Sequence, residues 1–311
     1  MSLFPAPILV NGATHSAQSF RMLVRDLALG SEGITQGDDL KVSQLSTPGA
    51  GVQVADGSGI VRGRANTFQG SYAACNVGAT TVSIAATGGS PRSDMVILRV
   101  EDPQYEGTLN PAVDQIAYFQ VISNVSSSAT TIPDGRTGIP LARIDIPAST
   151  STITDAMVKD IRKVANPRRE RSLLTQAPAS SSTAISGTAG TYSYFSTAAG
   201  WNIAIPSWAS TAKIRFDIGG LRLATGAVFG DISATFGASL AIQAVSVDDN
   251  QTSTRRYAHL MADTLTIPGG YRGTTQLLRA RGRCFAGNAG TMVVDTASML
   301  IADVQFEEAP R

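Results

Sequence analysis

The stretch KIRFDIGGLRL, residues 213–223, decides the fold class because its side chains alternate. Ile214, Phe216 and Ile218 fall on one face of an extended chain, and Lys213, Arg215 and Asp217 on the other. Successive side chains of a strand point to opposite faces, so the pattern places a half-buried strand against an apolar core. LIADVQFEE (300–308) repeats the alternation and reads as a final strand.

Working outward, TYSYFST (191–197), WNIAIP (201–206), ASLAIQAVSV (238–247), RRYAHLMADTLTIP (255–268), TTQLLRARGRCFAG (274–287) and GTMVVDT (290–296) complete a set of about eight strands at regular spacing. That cadence is the one of a sandwich or barrel, and a β-sandwich or jelly-roll-like domain is expected over 191–311.

The first half is β-rich in a different way. LKVSQL, GVQVAD, GIVRGRA, TTVSIAAT, DMVILRV, QIAYFQVI and LARIDI are short Val-, Ile- and Thr-rich runs separated by turn formers. Met95 to Leu98 are apolar on both faces, which predicts a strand covered on both sides, one cover being an N-terminal helix. In LARIDI, Leu141 falls out of step with Ile144 and Ile146, so a bulge or a strand-end irregularity is expected there. The helix is HSAQSFRMLVRDLALG, with Ser16 as cap, Gly30 as stop, and Phe20, Leu23, Val24 and Leu27 as its buried face. Arg21, Arg25 and Asp26 fall opposite.

The midpoint is a boundary. TSTITDAMVKDIRKVANP predicts a short helical turn capped by Thr154 or Asp155 and stopped by Pro167. The basic NPRRER and the Ser/Ala/Pro-rich TQAPASSSTAISGTAG follow. The domain expectation is an arm over 1–14, a β domain over 15–166, a linker over 167–190 and a second β domain over 191–311. The fold class is therefore mainly β with two domains and one early helix.

Composition narrows the function. The 311 residues are 43% hydrophobic but only 6% aromatic and 16% charged, below the quarter usual for soluble chains. A net charge of +1 argues against nucleic-acid binding as the main task. No apolar run approaches a bilayer-spanning length, and the N-terminus lacks a basic leader, so a soluble protein made in the cytoplasm without membrane insertion is expected. Cys75 and Cys284 read as separate free thiols, and no zinc spacing exists.

Three ordered segments carry a resemblance: GVQVADGSGIVRGRA, then RSDMVILRVED, then IPLARIDIPASTSTITDAMVKDIR. Over residues 15–165 the chain resembles the N-terminal module of minor tail, tail-tip and baseplate proteins of tailed bacteriophages. Arg92, Asp94, Arg99, Asp155, Asp160 and Arg162 occupy the motif positions. The second half is similar in style to receptor-binding or accessory β-sandwich domains appended to that module. The resemblance implies a virion tail component, homotrimeric, touching other tail or baseplate proteins, with a host-surface glycan as a further partner. It implies no enzyme activity and no cofactor. The alternative is a carbohydrate-active enzyme or carbohydrate-binding module on a tail scaffold.

Candidate residues follow from chemistry. His15 reads as a helix-start residue and His259 as a packed one, and no nucleophile-elbow pattern supports a Ser-His-Asp triad. Asp248–Asp249–Asn250 and Asp38–Asp39 read as turns, without calcium-loop spacing. The motif arginines and aspartates read as ion pairs locking the closing segment to the central strand. Aromatics concentrate in the second half, and Trp208, Trp201, Tyr192 and Tyr271 are the candidate ligand contacts, because sugar faces stack on such rings. Trp208 is expected nearest the surface. In the arm, Pro5 and Pro7 keep Phe4, Ile8, Leu9 and Val10 extended, which makes those four residues the candidate tail-docking contacts.

Overall fold

Residues 10–197 and 199–311 are described by the structure, a computed structural model, and they are mainly β. The chain forms two compact units, Met1–Pro167 with Ala309–Arg311, and Arg168–Glu308. The second unit begins and ends on neighbouring strands, since Glu308 N donates to Arg168 O at 3.1 Å. Paired ends are what a domain inserted into another chain requires.

In the first unit, helix α1 (Ala17–Leu27) precedes strands β1 (Gly33–Ile34), β2 (Val42–Gln44), β3 (Gly51–Val54), β4 (Gly57–Arg62), β5 (Ser71–Asn76), β6 (Thr80–Ser83), β7 (Arg92–Val100), β8 (Ala117–Val125), β9 (Gly138–Ile146) and β10 (Val158–Asp160). They make three antiparallel sheets, ordered β1-β4-β5, β2-β3-β6 and β10-β9-β7-β8. Their shared core holds Ile34, Val52, Val61, Val96, Leu98, Leu141, Ile144 and Ile153. The expected irregularity at Leu141 is a bulge: the register jumps from Val96↔Ala142 to Ile97↔Pro140, skipping it.

Helix α1 starts as its sequence predicts, with Ser19 N donating to Ser16 Oγ at 3.1 Å. Its buried face differs from the hydrophobic pattern. Arg21 is buried, while Phe20 is 48% and Leu27 is 71% exposed. Arg21 donates to Gln69 O at 2.8 Å, pairs with Asp102 at 3.3 Å and lies over the rings of Tyr72 and Tyr105. A fully partnered guanidinium outweighs the apolar stripe and turns the helix onto β5, not onto β7.

The closing segment also differs. Asp155–Met157 is a single 3-10 turn followed directly by β10, and Thr154 makes no side-chain cap. Asp155 is held instead by Gln44, whose backbone N donates to the carboxylate at 2.6 Å. The ion pairs join residues two apart in the chain rather than the closing segment to the central strand: Arg92 with Asp94 within β7, and Arg162 with Asp160 at the end of β10.

The second unit contains β11 (Arg169–Gln176), β12 (Ser193–Tyr194), β13 (Gly200–Ala204), β14 (Thr211–Ala224), β15 (Val228–Phe236), β16 (Leu240–Ala241), β17 (Val245–Asp249), β18 (Arg255–Thr266), β19 (Thr275–Cys284), β20 (Thr291–Val293) and β21 (Met299–Glu307). One sheet is ordered β11-β21-β14-β18 with β20 on β14. The other is ordered β12-β19-β15-β16, with β13 on β19 and β17 on β15. Their inner faces meet in one core, where Trp201 packs on Phe216 at 5.4 Å and Phe236 on Phe306 at 6.4 Å between centroids. That is a β-sandwich.

KIRFDIGGLRL lies in β14, and Ile214, Phe216 and Ile218 are buried as the alternation requires. The register slips between Ile218 and Leu221, where Gly220 (φ +71) takes the left-handed conformation and a Cβ would meet Ala297 O at 2.5 Å. Residues 169–176, expected within a linker, are a strand paired residue for residue with β21. Farther along that linker, Ile185 bridges to Met292.

Candidate functional site

The outer face of the second sheet, turned away from the core, carries a row of half-buried arginines beside the buried polar side chains of β15. Along β19, Leu278, Ala280 and Cys284 point into the core, so Arg279, Arg281 and Arg283 all point outward. Strand geometry spaces such residues about 7 Å apart. On one side runs β12, with Tyr194 directly across from Arg281. On the other runs β15, presenting Asp231, Ser233 and Thr235 across from Arg283, Arg281 and Arg279.

The tyrosines seat the arginines. The Arg281 guanidinium lies 4.0 Å and that of Arg283 4.4 Å from the centre of the Tyr192 ring. Arg279 lies 4.6 Å from the Tyr194 ring, and Arg283 also covers Phe285 at 4.9 Å. A cation over an aromatic face is attracted to the ring and loses side-chain freedom there.

Charge on this face is uneven. Arg283 is neutralised by Asp231, donating from Nε and Nη2 at 2.9–3.1 Å. Among the described residues, Arg279 donates to the Phe195 carbonyl alone, at 3.2 Å. Arg281 has a buried Nε without a protein partner among the described residues. The Ser233 hydroxyl opposite it donates to Ile242 O at 2.8 Å. Burial first, and Asp231 second, push the Tyr192 phenol pKa up, so the ring stays neutral beneath its two guanidiniums.

The other sheet's outer face is built from opposites. Arg171 meets Asp303 at 2.5 Å, Lys213 meets Glu307 at 2.7 Å, and Arg215 meets Asp217 at 3.0 Å. Asp303 and Glu307 have lowered pKa values, chiefly from the hydrogen bonds of Arg171 and Lys213 respectively.

The candidates named from sequence occupy separate settings. Tyr192 is part of the arginine face. Trp201, directly across from core Leu278, packs inward on Phe216. Trp208 is half-buried against the core, with Arg168 over its ring at 5.4 Å. The Tyr271 hydroxyl accepts from Ser239 N at 2.8 Å. Val10 is exposed, and Phe4, Ile8 and Leu9 lie outside the described residues. His259 is buried, with Nδ1 3.1 Å from the Tyr257 hydroxyl, and burial lowers its pKa. Asp249 accepts from Gln251 N and pairs with Arg255. Among the described residues, no group of three or more acidic, His or Cys side chains could hold a metal ion. Likewise, no described helix is long and apolar enough to cross a membrane.

The arginine column escaped the sequence reading. Its signal was RARGR, arginine at every second position of a strand, and the tyrosine partners are visible only through pairing across some ninety residues.

No family model and no curated protein matches the chain. Among solved structures it is similar to the infectious bursal disease virus Gx strain, at 12% identity over 90% of this chain and 80% of that one, with a TM-score of 0.25. It is similar also to the VP2 subviral particle of infectious bursal disease virus, at 14% identity over 90% and 79%, TM-score 0.25. A third is the insecticidal delta-endotoxin Cry8Ea1 from Bacillus thuringiensis, at 10% identity over 90% and 55%, TM-score 0.21. Likeness at this level carries no argument about function, which rests on the chain's own residues.

Proposed function

We propose that the chain is a non-catalytic structural component of a virion, placed at the tail tip or baseplate of a tailed bacteriophage. The first unit docks onto neighbouring subunits, and the second meets the host surface. The observation that carries this reading is the sheet β10-β9-β7-β8. The second and third motif segments, which bear the tail-protein resemblance, fall on its adjacent strands β7, β9 and β10, with Asp94 fully buried between Arg92 and Asn124 N. Residues scattered over seventy positions thus form one structural core.

A surface for assembly accompanies it. Phe20 and Leu27 stand two turns apart on one face of α1, Leu29 follows at 78% exposure, and Phe68, held by Gln18, is 65% exposed. Apolar side chains gathered at one helix suit contact with further copies of the chain, and three copies is the arrangement the resemblance implies.

Labelling an epitope-tagged chain in purified particles tests the placement. Label at the distal end of the tail supports it, and label on the head or only in the soluble fraction overturns it. Deleting residues 1–12 tests the docking arm: the shortened chain should stay folded but fail to enter particles.

A further inference from the structure

We propose that the outer face of β19 is a binding site for a linear polyanion, a polyol or glycan polymer carrying phosphate or carboxylate groups about 7 Å apart. This goes beyond the virion reading, because it concerns the isolated chain and stands wherever the chain is carried.

Arg279, Arg281 and Arg283 share one face of one strand, so their charges recur at a fixed step along a flat surface. A polymer with a matching charge repeat engages all three without bending. Each guanidinium offers a planar fork that binds phosphate or carboxylate oxygens in pairs.

Next comes compensation. Folding neutralises one of the three, Arg283, through Asp231. Asp248, on the same sheet face, stands across from Phe229, one row beyond Arg283. Arg281, the central cation, keeps a buried Nε–H without a protein acceptor among the described residues. That Nε lies out of reach of solvent, so an incoming anion is met by the outward Nη groups of the same guanidinium.

The surroundings select among polyanions. Both edges of β19 are already paired, with β12 and β13 on one side and β15 on the other. A peptide therefore cannot add as a strand here, and recognition runs through side chains alone. The faces of Tyr192 and Tyr194 toward the column are occupied by guanidiniums, which removes the free rings on which unpaired bases stack. A polymer read by charge spacing fits best.

The test uses the full chain and long-chain inorganic polyphosphate, followed by fluorescence anisotropy over a salt series. The wild type should bind at low salt and weaken steadily as salt rises. R281Q should weaken binding about tenfold and flatten the salt slope by about one. R279Q should act in the same direction. R171Q, on the opposite sheet, should bind as the wild type does. R281K keeps the charge but loses the fork and should fall between wild type and R281Q, which covers the case of an R281Q chain that does not fold. Polygalacturonate beside polyphosphate distinguishes a carboxylate from a phosphate source. The proposal is overturned if the wild type binds neither polymer, if R171Q loses as much as R281Q, or if R281K equals the wild type. Tighter binding of poly-glutamate or of an oligodeoxynucleotide than of both polymers would also overturn it, in favour of a protein or nucleic-acid partner.

Discussion

The two outer faces of the second unit both carry arginines and hold them differently. On the face containing β14 and β21, Arg171, Lys213 and Arg215 each meet a carboxylate within 3.0 Å. On the face containing β19 and β15, one of three arginines does, and the column rests on tyrosine rings. Exposed pairs of the first kind add little to stability, but they pin register and leave no net field. The second face leaves Arg279 and Arg281 in a defined row without a carboxylate partner among the described residues. The contrast teaches that arginine content alone does not mark a binding face; what marks it is arginine placed without its carboxylate.

Both faces rest on one shared core, and the largest expected effect comes from breaking it. Phe216 is fully buried and packs on Trp201 from the opposite sheet. Phe216→Ala should cost about 3–5 kcal/mol, read by urea denaturation, and should degrade polyphosphate binding along with the fold. Loss of stability with binding intact would show that the arginine face does not depend on the sandwich core.

A smaller change should separate the faces. Asp231 is buried and is the carboxylate that Arg283 uses. Asp231→Asn should lower the melting temperature by several degrees and tighten polyanion binding, because a third guanidinium becomes uncompensated. Weaker binding in D231N would mean that the carboxylate orients Arg283 for the ligand rather than opposing it.

The pH dependence should show two regions. Burial lowers the His259 pKa, so the neutral imidazole is favoured in the fold. Its contribution is complete above the unfolded value near 6.5 and is lost as pH falls toward the folded value. His259→Gln should therefore flatten stability between about pH 7 and pH 5 in a denaturation series. The lowered carboxylates Asp303, Glu307 and Asp295 act further down: their contribution holds above about pH 4 and is lost as pH falls through their folded values. An unaltered slope in H259Q above pH 5 would contradict the first assignment.

The smallest effect belongs to the balanced face. Arg171 is largely exposed, and Arg171→Gln should leave the melting temperature unchanged within error. A clear drop would mean that the paired ladder carries more of the fold than isolated surface pairs do.

Much of this architecture was legible. β14 and β21 announce themselves by strict alternation, β7 by an apolar run, and the bulge at Leu141 by a broken period. What failed to show has physical reasons. β11 is a polar, mostly exposed edge strand whose only structural cause is its pairing with β21, so RERSLLTQ looks like linker. β15, VFGDISATF, does alternate, Ile232, Ala234 and Phe236 inward and Asp231, Ser233 and Thr235 outward, but Gly230 and Ala234 weaken its apolar face and Phe229 breaks the pattern at its start. The helix face was misjudged because the partners that let Arg21 be buried, Gln69, Asp102 and Tyr105, lie far along the chain. The candidate aromatics were found by residue type, whereas the site follows from what sits on them. Tyr192 qualifies through the arginines above it, and Trp201 turns inward.

The most direct measurement of the central claim is the arginine Nε–H spectrum of 15N-labelled chain, titrated with polyphosphate at low salt. The account requires the signals of Arg279, Arg281 and Arg283 to shift, Arg281 most of all, while those of Arg171 and Arg215 stay in place. Equal shifts on the two faces, or shifts confined to Arg171 and Arg215, would contradict it.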